Sequence, residues 1–197
     1  MTYLRDLLDG KTEIVHGDFL HTPLPRVAYK LLGNPPYTRT TDIIRRLHST
    51  PNPPEDAWLI LQREAAQRFV GMPYVDETLW SLRLKPWWHV EIVDRLHRHD
   101  FDPPPSVESV LIWFSHRTRP LLTERDTRVF RGITERSYGQ GDLRRGTRPW
   151  LTETQLRRLS RDLHFEINRN PSSLKFEHWL GLVRFITRTK DQRAHRN

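Results

Sequence analysis

The sequence predicts an α/β sheet domain followed by a small all-α unit. Three observations carry that expectation. In the first half of the chain, short apolar runs alternate with segments of helical period. Beyond about Arg117 only helical periodicity remains. The charge balance changes at the same place: residues 1–116 hold 13 Lys+Arg against 15 Asp+Glu, and residues 117–197 hold 19 against 9. A near-neutral body with a basic annex favours a polyanion such as RNA as partner, the alternative being a solvated arginine-rich surface. We therefore divide the chain into residues 1–118 and 119–197.

The elements follow in order. Residues 13–18 and 27–32 are short apolar runs ended by Gly or Asp, and both read as buried strands. Leu4, Leu7 and Leu8 read as a helix leading into the first of them. After the second, Thr40, Thr41 and Asp42 offer N-cap oxygens, and Ile43, Ile44 and Leu47 recur at helical spacing. Residues 57–61 repeat the strand signal, 63–70 the helical one, and 78–85 form a further helix. This alternation predicts a mainly parallel sheet. Residues 87–93 and 107–114, separated by Pro103-Pro104-Pro105, read as two later strands able to pair as an antiparallel edge. In the annex, Thr152 caps a helix with Leu156, Leu159 and Leu163 inward, and residues 177–186 place Trp179, Leu180, Val183 and Phe185 in another. Residues 137–149, rich in Gly, Pro and Arg, read as a mobile loop, and 191–197 as a frayed tail.

Composition excludes several classes. The chain has no cysteine, which removes disulfides, thiolate zinc sites and cysteine nucleophiles. Its ten histidines are scattered. No apolar run approaches the roughly 20 residues of a membrane span, and no secretory leader is legible, so the cytoplasm is the expected compartment.

The most informative residues are Gly33-Asn34-Pro35-Pro36-Tyr37, where a strand stops and a helix begins. In open α/β sheets ligands sit at the carboxyl ends of strands. Two prolines stiffen the backbone, so Asn34 and Tyr37 are presented on a rigid corner. An asparagine amide accepts one hydrogen of an exocyclic amine, a neighbouring carbonyl accepts the other, and a tyrosine ring stacks on the base. Localising the amine lone pair in this way allows direct displacement without a strong base. An ordinary Asn-Pro turn is the alternative.

With these residues in view, the chain resembles the ribosomal RNA adenine N6-methyltransferases, especially the erythromycin-resistance (Erm) type and its small-subunit dimethyladenosine transferase relatives. Asn34-Pro-Pro-Tyr37 resembles the family's target-base loop. Other segments match in order: His16-Gly-Asp-Phe-Leu20 before it, then Leu61-Gln-Arg-Glu-Ala65, then Phe101-Asp-Pro-Pro-Pro-Ser-Val-Glu-Ser109 with the spacing F-x-P-x-P-x-V-x-S. Residues 171–185, with Trp179-Leu-Gly, resemble the family's helical domain.

The resemblance implies a Rossmann-like class I methyltransferase sheet and S-adenosylmethionine as methyl donor. By the same resemblance Asp18 would contact the donor's adenine amino group, Phe19 would lie along that base, and Asn34 would sit between donor and substrate. The catalytic loop would be Asn34, Pro35 and Tyr37, with Tyr37 and Phe101 stacking on a flipped adenine. Arginines of the annex would grip RNA phosphates. The expected protein is a monomer acting on ribosomal RNA, of the large subunit by preference, without a membrane partner or a metal. Asp18 as a turn cap and Phe101 as a core aromatic are the competing readings, and residues 61–65 read as packing. His89, His97 and His99 read as surface or base-stacking residues.

The family's order, 3-2-1-4-5-7-6, makes the strand at 13–18 the third and that at 27–32 the fourth. Its first two strands and the glycine-rich turn between them are not legible ahead of His16. The two expected strands would then be separated by about 14 Å with unpaired edges on both sides, and an upstream segment would be needed. We accordingly expect the isolated chain to be impaired and to bind S-adenosylmethionine weakly. Calorimetric titration should show no low-micromolar dissociation constant; finding one would contradict the expectation. A non-catalytic RNA-binding protein and a DNA amino-methyltransferase are the other classes compatible with these residues.

Overall fold

The computed structural model describes residues 12–194, and their side chains as far as Thr189. Its elements are β1 (Lys30–Gly33), α1 (Thr40–Ser49), β2 (Asp56–Gln62), α2 (Arg63–Val70), α3 (Leu79–Leu84), β3 (Trp88–Leu96) and β4 (Ser109–His116). The helices α4 (Glu124–Gln140), α5 (Leu143–Thr147), α6 (Glu153–Asp162) and α7 (Phe176–Ala194) follow. The helix expected over Leu4, Leu7 and Leu8 lies outside the described residues.

The strands form one sheet in the order β1-β2-β4-β3. β1 runs parallel to β2, whereas β4 is antiparallel to both β2 and β3. The expected antiparallel pairing of the two later strands is present. The expected mainly parallel sheet is not: only the β1–β2 pair is parallel, because β4 returns from β3 and takes the free edge of β2.

Two strand expectations also need correction. Residues 13–18 form no strand; Val15 is 60% exposed, and no described strand offers this run a ladder. The expected gap between two separated strands therefore does not arise. β1 begins three residues later than expected and is not buried. As the sheet edge it leaves Leu32 79% exposed, with only Leu31 turned onto the core.

Alternation along β2 and β4 explains the core. Ala57, Leu59, Leu61, Val110, Ile112 and Phe114 point to one face and meet Ile43, Ile44 and Leu47 of α1 and Ala66, Phe69 and Val70 of α2. The opposite face carries the stacked, half-exposed pair Trp58 and Trp113, with centroids 6.4 Å apart. α1 lacks the predicted threonine cap, since its N-cap position is Arg39 and Thr40 is buried in its first turn.

A second cluster is built by the annex around Trp179, Leu182, Ile133 and Leu143, all fully buried. α3 bridges the two, for Leu84 joins the sheet's core and Leu82 the helical one. Buried Glu77 fastens the junction. Its carboxylate accepts from Ser81 and pairs with Lys85, while its backbone carbonyl accepts from the Tyr138 hydroxyl at 2.7 Å. Paired in this way, the buried charge avoids the cost of an isolated one.

The expected mobile loop at 137–149 is instead a rigid corner. Asp142 accepts from the Arg145 N–H at 2.9 Å and starts α5, in which Leu143 and Thr147 are buried. Gly146 lies against the Ser137 backbone, where a Cβ would come within 2.4 Å of Ser137 Cα. A five-residue helix is too short to show a period, and its one glycine reads as a breaker. The expected tail is helical through Ala194.

In the last turn of α1, His48 Nδ1 accepts the indole N–H of Trp88 at 3.3 Å, which requires that nitrogen unprotonated. Burial holds His48 and His116 below the ordinary histidine value. The unfolded chain thus takes up protons that the folded chain refuses. Stability should be full above about pH 6.5 and fall as pH drops below it. Urea midpoints between about pH 7.5 and 5.5 check this, and His48→Gln should flatten the dependence.

Candidate functional site

One end of the sheet gathers the loops singled out by the sequence. Gly33 at the end of β1 pairs with Leu59; Gln62 at the end of β2 pairs with Ser109, and Ser109 with Leu96 at the end of β3. The Asn34–Tyr37 loop, the β2–α2 junction and the β3–β4 connection that contains Phe101 therefore share this end.

The corner is held from both sides. Pro36 has φ −54° and ψ 129°, and the chain then turns through a single 3-10 turn, Tyr37–Arg39, into α1. The hydroxyls of half-buried Tyr37 and buried Ser109 are 2.7 Å apart, across 72 residues of sequence. This bond joins the Asn-Pro-Pro-Tyr corner to the last residue of the F-x-P-x-P-x-V-x-S segment. Reading the sequence assigned Ser109 no role, although its place at the end of that segment was the available signal. The Asn34 side chain is exposed and has no hydrogen-bond partner among the described residues, so its amide is free to receive one.

Asp18 and Phe19 come to the same corner by charge. Asp18 Oδ2 lies 3.7 Å from the Arg39 guanidinium. Arg46 donates to the carbonyls of Phe19 and Thr22, and its guanidinium sits 5.2 Å above the Phe19 ring. Asp18 is also a turn cap: its Oδ1 accepts the Leu20 N–H at 2.9 Å. That bond, with His21 and Arg39 nearby, lowers its pKa below the ordinary carboxylate value. The Asp18 carboxylate, about half exposed, keeps acceptor capacity beyond the Leu20 bond, while Arg46 covers one face of the Phe19 ring.

Phe101 is half-buried and follows the 3-10 turn Arg98–Asp100. Leu61 is fully buried packing, as expected, and Arg63 pairs with Glu108 at 2.8 Å, tying β2–α2 to the β3–β4 connection. Pro35 is half-buried within the corner. His97 and His99 stack on one another at 5.1 Å, and His89 is exposed with its ring edge-on to Trp113. Among the described residues no group of three or more His, Asp or Glu is placed to hold a metal ion, and no helix is long and apolar enough to cross a membrane. A groove of about 690 Å³ lies in the helical annex, beside Arg145, Arg148 and Trp150.

With this geometry in hand, comparison with known proteins gives a consistent set of matches. Residues 2–141 match the family model described as ribosomal RNA adenine dimethylase. The chain is 23% identical over 181 residues to an rRNA adenine N-6-methyltransferase of Bacillus licheniformis, covering 90% of this chain and 62% of that protein. It is 28% identical to the mycinamicin-resistance protein MyrB of Micromonospora griseorubida, over 91% of this chain and 57% of the relative. It is 30% identical to a ribosomal RNA small subunit methyltransferase A of Porphyromonas gingivalis, over 71% of this chain and 57% of the relative. The chain thus spans about three fifths of the length of these relatives. Among solved structures, the 23S rRNA methyltransferase ErmE shares the fold with a TM-score of 0.87 at 22% identity, over 94% of this chain and 77% of that one.

Proposed function

The chain belongs to the ribosomal RNA adenine dimethylase family, and from that membership we propose that the protein transfers methyl from S-adenosylmethionine to N6 of an adenine in ribosomal RNA. The observation that carries the reading is the stiff corner at the carboxyl end of β1, where an unpartnered Asn34 amide stands beside a Tyr37 ring locked to Ser109. Asn34 Oδ1 accepts one hydrogen of the target amine and a loop carbonyl accepts the other, which localises the nitrogen lone pair. Tyr37 and Phe101 hold the base by stacking, and Pro35 keeps the loop from yielding. Catalysis is then a matter of position and electrostatics, with no strong base.

Residues 1–118 act as the catalytic part and residues 119–197 as a basic RNA-holding part. Large-subunit RNA is the favoured substrate, in keeping with the likeness to MyrB and to Erm-type enzymes. A cytoplasmic monomer goes with that substrate. Because Asp18 and Phe19 are partly engaged within the chain, residues 12–194 are expected to bind the donor weakly without a further segment that supplies the remaining contacts. The same engagement favours a second reading, a non-catalytic RNA-binding protein derived from such an enzyme.

Labelled methyl transfer at millimolar donor, offered protein-free ribosomal RNA or duplex DNA, separates these. Label recovered as N6-methyladenine in RNA is the expected result. Label in duplex DNA alone would make the protein a DNA amino-methyltransferase. RNA binding without label in either would leave the non-catalytic reading.

A further inference from the structure

We propose that the groove between α5, α6 and α7 is a single-stranded RNA site, in which Arg145 and Arg148 hold phosphates and Trp150 stacks on an unpaired base. The proposal rests on the reading that the protein acts on RNA, and it assigns that contact to a definite place.

The groove encloses about 690 Å³, with Arg145, Arg148, Trp150, Gln155 and Phe185 in its walls. Charge is the first argument. Four other arginines of the annex are neutralised locally, two of them beside the groove: Arg144 and Arg157 pair with Glu153 at 3.3 and 3.0 Å, Arg158 with Asp162 at 3.6 Å, and Arg169 with Glu166 at 2.9 Å. Arg145 and Arg148 are exposed, and neither guanidinium has an acidic partner among the described residues. Three residues apart, they share one face of α5 and its C-cap. Glu153, the acid in the groove wall, is already shared between two other arginines. The face is therefore a local excess of positive charge with donors suited to phosphate.

The second argument is the indole. Trp150 is half-buried against α4, where Gly132 leaves room for it: a Cβ there would stand 2.8 Å from Trp150 Cζ2. The ring is thereby fixed at the groove with part of its surface free, which makes a stacking platform beside two phosphate-holding cations. A stacked duplex cannot offer a base to a ring in a groove, whereas a single strand or loop can.

The third is rigidity. α5 is locked by the close approach of Gly146 to Ser137, and the Thr147 hydroxyl donates to the Leu143 carbonyl at 2.8 Å. The arginines thus project from a fixed corner rather than from a loop that must order on binding.

Fluorescence anisotropy of the whole chain, with labelled single-stranded RNA and with duplex RNA of the same sequence across a salt series, tests this. Arg145→Ala/Arg148→Ala should bind single-stranded RNA about tenfold more weakly near 0.1 M salt, with the slope of log K against log salt reduced by about 1.4. The double lysine variant should keep most of the slope, and an unchanged thermal midpoint should show the fold intact. Wild-type affinity and slope in the double alanine variant would overturn the groove and leave the RNA reading standing. Equal affinity for duplex and single strand would overturn the stacking role of Trp150. No RNA binding by the wild-type chain at low salt would remove the reading beneath both.

Discussion

Asn34→Ala is expected to lower methyl transfer roughly 10²–10³-fold while leaving RNA affinity and its salt dependence unchanged. The size follows from the position of the group. A single polar atom aimed at the site where charge develops acts in the transition state, so its loss falls on kcat rather than on binding. The selectivity follows from the structure: the Asn34 side chain is exposed and bonded to nothing among the described residues, so truncating it removes no fold contact. Parallel measurement of transfer and of RNA binding checks both halves. A variant that keeps full transfer would remove Asn34 from the chemistry. A variant that loses RNA binding in proportion would make it a binding residue instead.

Gly146→Ala should destabilise the annex by about 2 kcal/mol or more, a fall of roughly 4–8 °C in thermal midpoint for a chain of this size. Helix propensity alone would favour alanine by up to about 1 kcal/mol. Packing decides the sign, because the new methyl would meet Ser137 Oγ at 2.0 Å and, less yieldingly, Ser137 Cα at 2.4 Å and N at 2.6 Å. The backbone of α4 cannot rotate aside as a side chain can. Gly139→Ala, two residues beyond Ser137 on the same helix, meets nothing within 4 Å and should gain the propensity term. Opposite shifts in thermal midpoint for the two alanines are the expected outcome; equal shifts would mean that the α4–α5 crossing is looser than described.

The parts legible in the sequence were those written in local chemistry. The run at 57–61 became β2 because its alternation matches one covered face, and the capping box of Thr152 and Gln155 starts α6 where the threonine predicted it. Asn34 and Tyr37 were legible because two prolines after a strand admit few conformations. What failed depended on neighbours. The run at 13–18 has strand composition, but a strand needs a ladder partner and none of the described strands provides one. Leu32 reads as core, yet its place on an edge strand leaves it in solvent. The direction of β4, and so the antiparallel bias of the sheet, is set by the connection from β3 rather than by anything in β4 itself. The corner at 137–149 was misread because glycines that end helices and a glycine that lets two helices touch look alike in a linear chain. Ser109 shows the same limit at the site: its place at the end of the F-x-P-x-P-x-V-x-S segment marks it, but its partner is visible only once the Tyr37 hydroxyl is found 2.7 Å away.

Photo-crosslinking with ribosomal RNA that carries 8-azidoadenosine, followed by mass-spectrometric mapping of the adducts, asks directly whether the corner receives an adenine. Adducts on Tyr37 and Phe101 are predicted. Adducts confined to residues 119–197, with none at the corner, would contradict the account.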